Sequence, residues 1–401
     1  MNPAPRRSQA LVITAIVLLG LNLRPAVNSV GSILPEIRVA LGLSATTGGA
    51  LTSLPPLCFA LLGLIAPALA SRFRPEHVVV VSLAAMTIGQ FIRVLGSSVL
   101  ALFAGSIVAL AGLAMANVLL PSLIRRYFPD RISLMTAVYT TSLAVGATSS
   151  AAFSIPIERG LDGDWRTGLG VWGVTGAIAL VPWLAMLFDR STVGPATPVR
   201  TLTVRHLLRS RVAWMLGLFF GVQAAQAYIV TAWLSQILVD DGVDLKTGGY
   251  AVGVFAALGI PLSAAVPTLV AKQSRLPAII VALGGFYISG YVGLLLDAAG
   301  RMWLWAVLCG IGSGTFPLVL TLIVLRARTA QGVAALSAFA QCMGYLIASL
   351  GPIAIGKLHD LTNGWTVPLI SLMASAALLV VFGLQVARPR VVEDDLALPP
   401  G

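Results

Sequence analysis

The residue in this chain best placed to do chemistry is Arg24, in the middle of a long apolar run that starts at Ala10. A guanidinium stays charged and offers planar, paired donors that match a carboxylate or another planar anion. Its neighbourhood, Asn22-Leu23-Arg24-Pro25-Ala26-Val27-Asn28, adds two amides, Asn28 being at i+4 on the same helical face. Pro25 frees a backbone carbonyl and predicts a local helix break. A charge at the centre of a bilayer costs several kcal/mol on insertion scales, so it needs a partner or a task. Pairing with a protein carboxylate fails on counting, because all 15 Asp and Glu, from Glu36 to Asp395, lie between apolar runs or at their ends. Two uses remain: binding an anionic or strongly dipolar solute, or bonding to helix carbonyls.

Other polar residues fall inside apolar runs. Gln223, Gln226 and Tyr228 lie at the same expected depth as Arg24, and amides three residues apart share a helical face. They can donate to a small solute or bond between helices. Ser337, Gln341 and Tyr345 recur at i, i+4 and i+8 as one polar stripe, and Asn117 and Thr315 add single polar groups. Arg93 lies at the end of its run, where it can either snorkel to headgroups or attract anions towards a cavity. Gly310-Ile311-Gly312-Ser313-Gly314 lacks the Lys-Ser/Thr tail of a phosphate loop, and no membrane-embedded histidine can activate Ser313, since His77, His206 and His359 lie at or near loops; close helix packing explains it. Cys58, Cys309 and Cys342 form no metal or redox motif, and neither cofactor nor metal is expected.

These residues must be carried by membrane helices. Of 401 residues, 57% are hydrophobic and 10% charged, which excludes an ordinary soluble domain. The net charge of +11 is spread over short loops without interleaved aromatics, which argues against nucleic acid as a partner. Twelve segments have the roughly 20 apolar residues that a bilayer requires: 10–35, 45–71, 77–96, 97–124, 132–157, 167–188, 212–238, 247–271, 276–296, 302–325, 329–356 and 361–387. With both termini cytoplasmic, 18 Lys and Arg fall inside and 6 outside, and Arg24 and Arg93 complete the total of 26. That bias sets the orientation.

The longest polar connection, 189–211, is rich in Arg and contains Pro195 and Pro198. It divides the chain into six helices in 1–188 and six in 212–401. At a constant offset of 200, Thr47-Gly48-Gly49 matches Thr247-Gly248-Gly249, Pro67 matches Pro267, Leu69 matches Leu269 and Arg72 matches Lys272. The expected fold is an all-α membrane protein of twelve transmembrane helices in two pseudo-symmetric halves, the major facilitator fold, with the solute near the midplane between them.

Leu21-Asn22-Leu23-Arg24-Pro25-Ala26 followed by Val30-Gly31-Ser32-Ile33-Leu34-Pro35-Glu36-Ile37 resembles the first-helix signature of the cyanate porter family within the major facilitator superfamily. The Gln-rich seventh segment leading to Ala232-Trp233-Leu234 is similar to that family too. The resemblance covers essentially the whole chain and implies transport of small, planar, polar or anionic solutes such as cyanate or nitroimidazoles. The superfamily's loop after the second helix reads Leu69-Ala70-Ser71-Arg72-Phe73-Arg74 here, keeping Arg72 as a gating residue but losing the usual Asp. Gly351-Pro352 with Gly356 resembles an antiporter motif without a full counterpart in the fifth segment, so antiport is not inferred. The expectation is a transporter of the inner membrane, functional as a monomer in the lipid bilayer. Arg24, Asn22, Asn28, Asn117, Gln223, Gln226, Tyr228, Gln341 and Tyr345 bind the solute, and Arg93 and Arg72 serve gating or anion attraction. The alternative is an exporter of neutral planar compounds; a receptor or a membrane enzyme fits less well, because no nucleophile and base share one depth.

Overall fold

A charged residue next to a proline dictates the first feature of the fold. In the computed structural model, which describes residues 6–62, 73–96, 98–188, 207–270 and 273–395, the first span is two helices, Arg6–Asn22 (α1) and Pro25–Leu41 (α2), broken at Leu23 and Arg24. Pro25 occupies the first turn of α2, where its missing N–H costs nothing, and the Arg24 carbonyl accepts from Val27 and Asn28 at 3.0 Å each. The expected break is therefore present, and it opens a half-helix N-terminus inside the bundle.

The other spans follow in order: Ala45–Leu62 (α3), Pro75–Leu95 (α4), Val99–Tyr127 (α5), Ile132–Gly160 (α6), Trp165–Phe188 (α7) and Arg211–Asp240 (α8). The eighth is split into Leu245–Ala257 (α9) and Gly259–Val270 (α10), and Leu276–Asp297 (α11) is the ninth. The tenth is split at Ser313 and Gly314 into Met302–Gly312 (α12) and Thr315–Leu325 (α13). Ala330–Thr362 (α14) and Thr366–Ala387 (α15) complete the set, before a short helix, Val392–Asp395 (α16). Arg72 and residues 189–206 of the connecting segment lie outside the described residues.

Eleven of these spans are apolar enough to cross a bilayer by composition. The fifth, α6, is long enough at 29 residues but carries many hydroxyls. Those hydroxyls bond back to the helix itself: Ser142 to the Val138 carbonyl, Ser150 to Ala147 and Ser154 to Ser150. Such back-bonding satisfies small polar side chains where water is absent.

One end of the bundle is closed. There, the repeated glycines serve as close-approach points: Gly49 on α3 lies against the Pro352 carbonyl of α14, and Gly249 on α9 lies against Ile155 and Ala151 of α6. Gly31 on α2 meets the Thr231 carbonyl of α8, and the Ser235 hydroxyl donates to the Ser32 carbonyl at 3.2 Å. Gly356 of the expected antiporter-like pattern packs against the Ala45 carbonyl, and the Trp233 indole donates to Pro352 at 3.1 Å. The Asp360 carboxylate accepts from the Ala45 and Thr46 amides at 2.9 and 2.7 Å and from the Thr46 hydroxyl at 2.6 Å. It thereby caps α3 from the far end of α14.

The opposite end is splayed. In α6, Leu134, Thr136, Ala137, Thr140 and Thr141 are exposed, and in α10 the exposed set is Ile260, Pro261, Ser263, Ala264, Ala265, Thr268 and Leu269. Exposure on successive positions covers more than one face of each helix, so these ends have lost the packing that α6 and α9 keep at the closed end. The chain's last described segment clasps this splayed end. Glu393 accepts from the Arg328 and Thr329 amides at the start of α14, and Asp395 accepts from Ser210 and the Val212 amide at the start of α8. Burial pushes the Glu393 carboxyl up, but those backbone donors outweigh it and hold the group below its ordinary range.

Candidate solute site

The break at Arg24 places its guanidinium among three tyrosines from three other helices: Tyr139 of α6, Tyr228 of α8 and Tyr345 of α14. Tyr228 is the strongest of these partners, its hydroxyl facing the guanidinium. No carboxylate is among these neighbours, so the counting argument holds in three dimensions. Tyr228 and Tyr345 are candidates named from the sequence; Tyr139 was missed, since a lone Tyr beside Thr140 and Thr141 carries no spacing signal.

Aromatic rings wall this group. Tyr345 stacks on Phe59 with centroids 5.2 Å apart and meets Phe220 edge-on at 5.1 Å. Phe220 also contacts Phe316 at 6.4 Å. A guanidinium near aromatic side chains suits a small planar solute, which can stack on a ring while the guanidinium takes its polar edge.

The remaining candidates divide by what their polar atoms already hold. Asn117 accepts from the Tyr139 hydroxyl at 2.8 Å and so acts one step behind Arg24, orienting a tyrosine. Asn22 donates to the Leu18 carbonyl at 2.8 Å and accepts from Thr175 at 2.7 Å, which ties α1 to α7. Gln226 accepts from Tyr291 at 2.5 Å and donates to the Leu372 carbonyl at 3.3 Å, tying α8 to α11 and α15. For Asn22 and Gln226 the structure therefore favours interhelical bonding over solute contact. Gln223, by contrast, is buried with an Nε2 that has no protein partner, and Asn28 makes no side-chain hydrogen bond among the described residues. Gln341 donates back to Ser337 at 2.7 Å, so the α14 stripe is bonded within itself. Thr315 donates to the Gly312 carbonyl at the break of the tenth span.

Arg93 corrects the snorkelling expectation. It is 0% exposed and points into the bundle, where Nη1 donates to the Ala26 carbonyl at 3.1 Å. Its backbone N and Cβ pack closely against Gly105 of α5. Gly310 and Gly312 do pack closely, against Leu258 and the Tyr287 ring, and the same glycine run also breaks the tenth span.

A broken, arginine-bearing first helix in a helical bundle that closes at one end and splays at the other defines a membrane transporter. The chain belongs to the Major Facilitator Superfamily, whose model matches residues 11–352. It is 35% identical to the uncharacterized transporter YycB of Bacillus subtilis over 95% of this chain and 94% of that one. It is 34% identical to the 2-nitroimidazole transporter of Escherichia coli, over 96% and 98% of the two chains, and 26% identical to the cyanate transport protein CynX of Escherichia coli, over 88% and 91%. In fold it is similar to a bacterial homologue of the human lysosomal transporter Spinster in an inward-facing, unoccupied conformation, with a TM-score of 0.76 at 15% identity, covering 98% and 99% of the two chains. The protein is thus a multi-pass membrane transporter of small solutes and not an enzyme.

Proposed function

We propose that this transporter carries a small planar solute, anionic or strongly dipolar, by alternating access, with Arg24 taking the solute's negative edge. The observation that carries the reading is a guanidinium at a helix break, ringed by tyrosines and without a carboxylate neighbour. The relatives named for cyanate and 2-nitroimidazole support the same solute chemistry. Solute contacts come from Arg24, Tyr228, Tyr345, Gln223 and Asn28, while Tyr139 and Asn117 hold the cage in shape. The wall of Phe59, Phe220 and Tyr345 favours a second reading, export of neutral planar compounds.

In this reading 1–188 and 212–401 are the two moving halves and 189–211 is their cytoplasmic linker. The protein works as a monomer in the inner membrane, both termini are cytoplasmic, and the closed end faces the exterior. Counterflow in proteoliposomes separates the two solute classes: cyanate exchange without 2-nitroimidazole exchange supports the anion reading, the converse supports the neutral one, and flux of neither removes both. The orientation has its own test. Single cysteines at Ser191 and Gly242, in a background with Cys58, Cys309 and Cys342 replaced, are expected to react with an impermeant thiol reagent from opposite sides. Labelling from one side only would contradict it.

A further inference from the structure

Arg93 has an environment of its own. Of its guanidinium nitrogens, Nη1 bonds to the Ala26 carbonyl, while Nε and Nη2 are buried with no protein partner. The Ser106 hydroxyl beside it is likewise buried and unpartnered. These groups line a narrow cavity together with Gly31, Thr52, Tyr228 and Thr231. No carboxylate is among the lining residues. The cavity lies on the closed-end side of Arg24, because α2 beyond Ala26 and α8 beyond Tyr228 both run towards the closed end. Tyr228 is common to both places, facing Arg24 and lining the Arg93 cavity.

A neutral carbonyl satisfies one of a guanidinium's five N–H donors and none of its charge. Burying the rest away from water is strongly unfavourable, and a guanidinium in such a place ordinarily faces a counter-charge. Ser106 and Thr231 add hydroxyls to the wall, whereas Thr52 already donates to the Gly48 and Gly49 carbonyls; the rest of the wall is mainly apolar and carries no anionic group.

We propose that the Arg93 cavity is a second binding site for a small monovalent anion, separate from the Arg24 site and lying between it and the exterior gate. It rests on the proposed anion chemistry of the Arg24 site for its place on the transport path, but not for its existence. An anion released from Arg24 towards the exterior meets Arg93 next, with Tyr228 shared between the two stations.

Titration calorimetry with sodium cyanate on the purified full chain tests this. The wild type is expected to bind two anions per chain, Arg93→Gln one, Arg24→Gln one, and the double variant none. Arg93→Lys, which keeps the charge but not the fork, is expected to retain the second site with roughly tenfold or more weakened affinity. Wild-type stoichiometry and affinity in a monodisperse Arg93→Gln would overturn the proposal. So would a wild type that binds one anion, lost equally in either variant. An Arg24→Gln that keeps both anions while Arg93→Gln loses one would refute the Arg24 reading alone. Should Arg93→Gln fail to fold, bromide anomalous scattering from wild-type crystals decides: a peak within hydrogen-bonding reach of Nε or Nη2 of Arg93 supports the site, and its absence at saturating bromide overturns it.

Discussion

Replacing Arg24 by Ala is expected to abolish flux of an anionic solute and its binding at the Arg24 site, leaving only the anion held at Arg93, in a protein that inserts and purifies as wild type does. Losing a buried, charge-assisted, two-pronged contact costs about 2–5 kcal/mol, or roughly 30- to several-thousand-fold in affinity. Arg24→Lys keeps the charge but not the planar fork, and is expected to bind weakly. A purely structural arginine would behave differently. Its interaction with Tyr228 would then join the first span to α8, and truncation would lower expression and thermal stability together with transport. Calorimetry with cyanate on monodisperse variants separates the cases, and wild-type stoichiometry and affinity in Arg24→Ala would end the anchor hypothesis.

The second large effect is conformational. Asp360→Ala is expected to shift the population away from the state with this end closed. The carboxylate accepts three hydrogen bonds from the first residues of α3, and two of those donors are backbone amides at a helix N-terminus. Hydrogen bonds to a charged acceptor contribute about 1.5–3 kcal/mol each, though water replaces part of that when the end opens. A net loss of about 2–4 kcal/mol changes the closed-to-open ratio by roughly 30- to 900-fold. Spin labels at Ser44 and Leu361 read the separation directly. A longer distance in the variant is the expected result, and unchanged distances would show that the glycine contacts at Gly31 and Gly49 hold the end shut without Asp360. Each variant is expected to alter one step of the cycle: Arg24→Ala what is bound, and Asp360→Ala how often the far gate opens.

Much of this protein is legible in one dimension because lipid imposes a length and a polarity on every crossing segment. The apolar runs, the loop charges and the charged residue beside Pro25 needed no knowledge of neighbours, and the break at Leu23 and Arg24 follows from proline's missing N–H. The absence of a carboxylate around Arg24 was likewise a matter of counting. What the sequence could not determine is which way a polar side chain faces and what meets it from another helix. Gln223 and Gln226 look equivalent at three residues apart on one face, yet they stand about 60° apart around the axis and nearly one turn apart along it, so each meets different neighbours. Gln226 meets Tyr291 and Leu372, and Gln223 keeps a free donor. Tyr139 joined the site only because α6 crosses Arg24 at that level. Arg93 shows the limit most clearly: its position near a span end permits snorkelling outward, and only the tertiary structure shows it buried and turned inward onto the Ala26 carbonyl. The bilayer's demands act on each segment separately, so sequence alone determined the spans and the anomalous charge; the pairing of faces depends on contacts between distant segments, so only the tertiary structure decided the site.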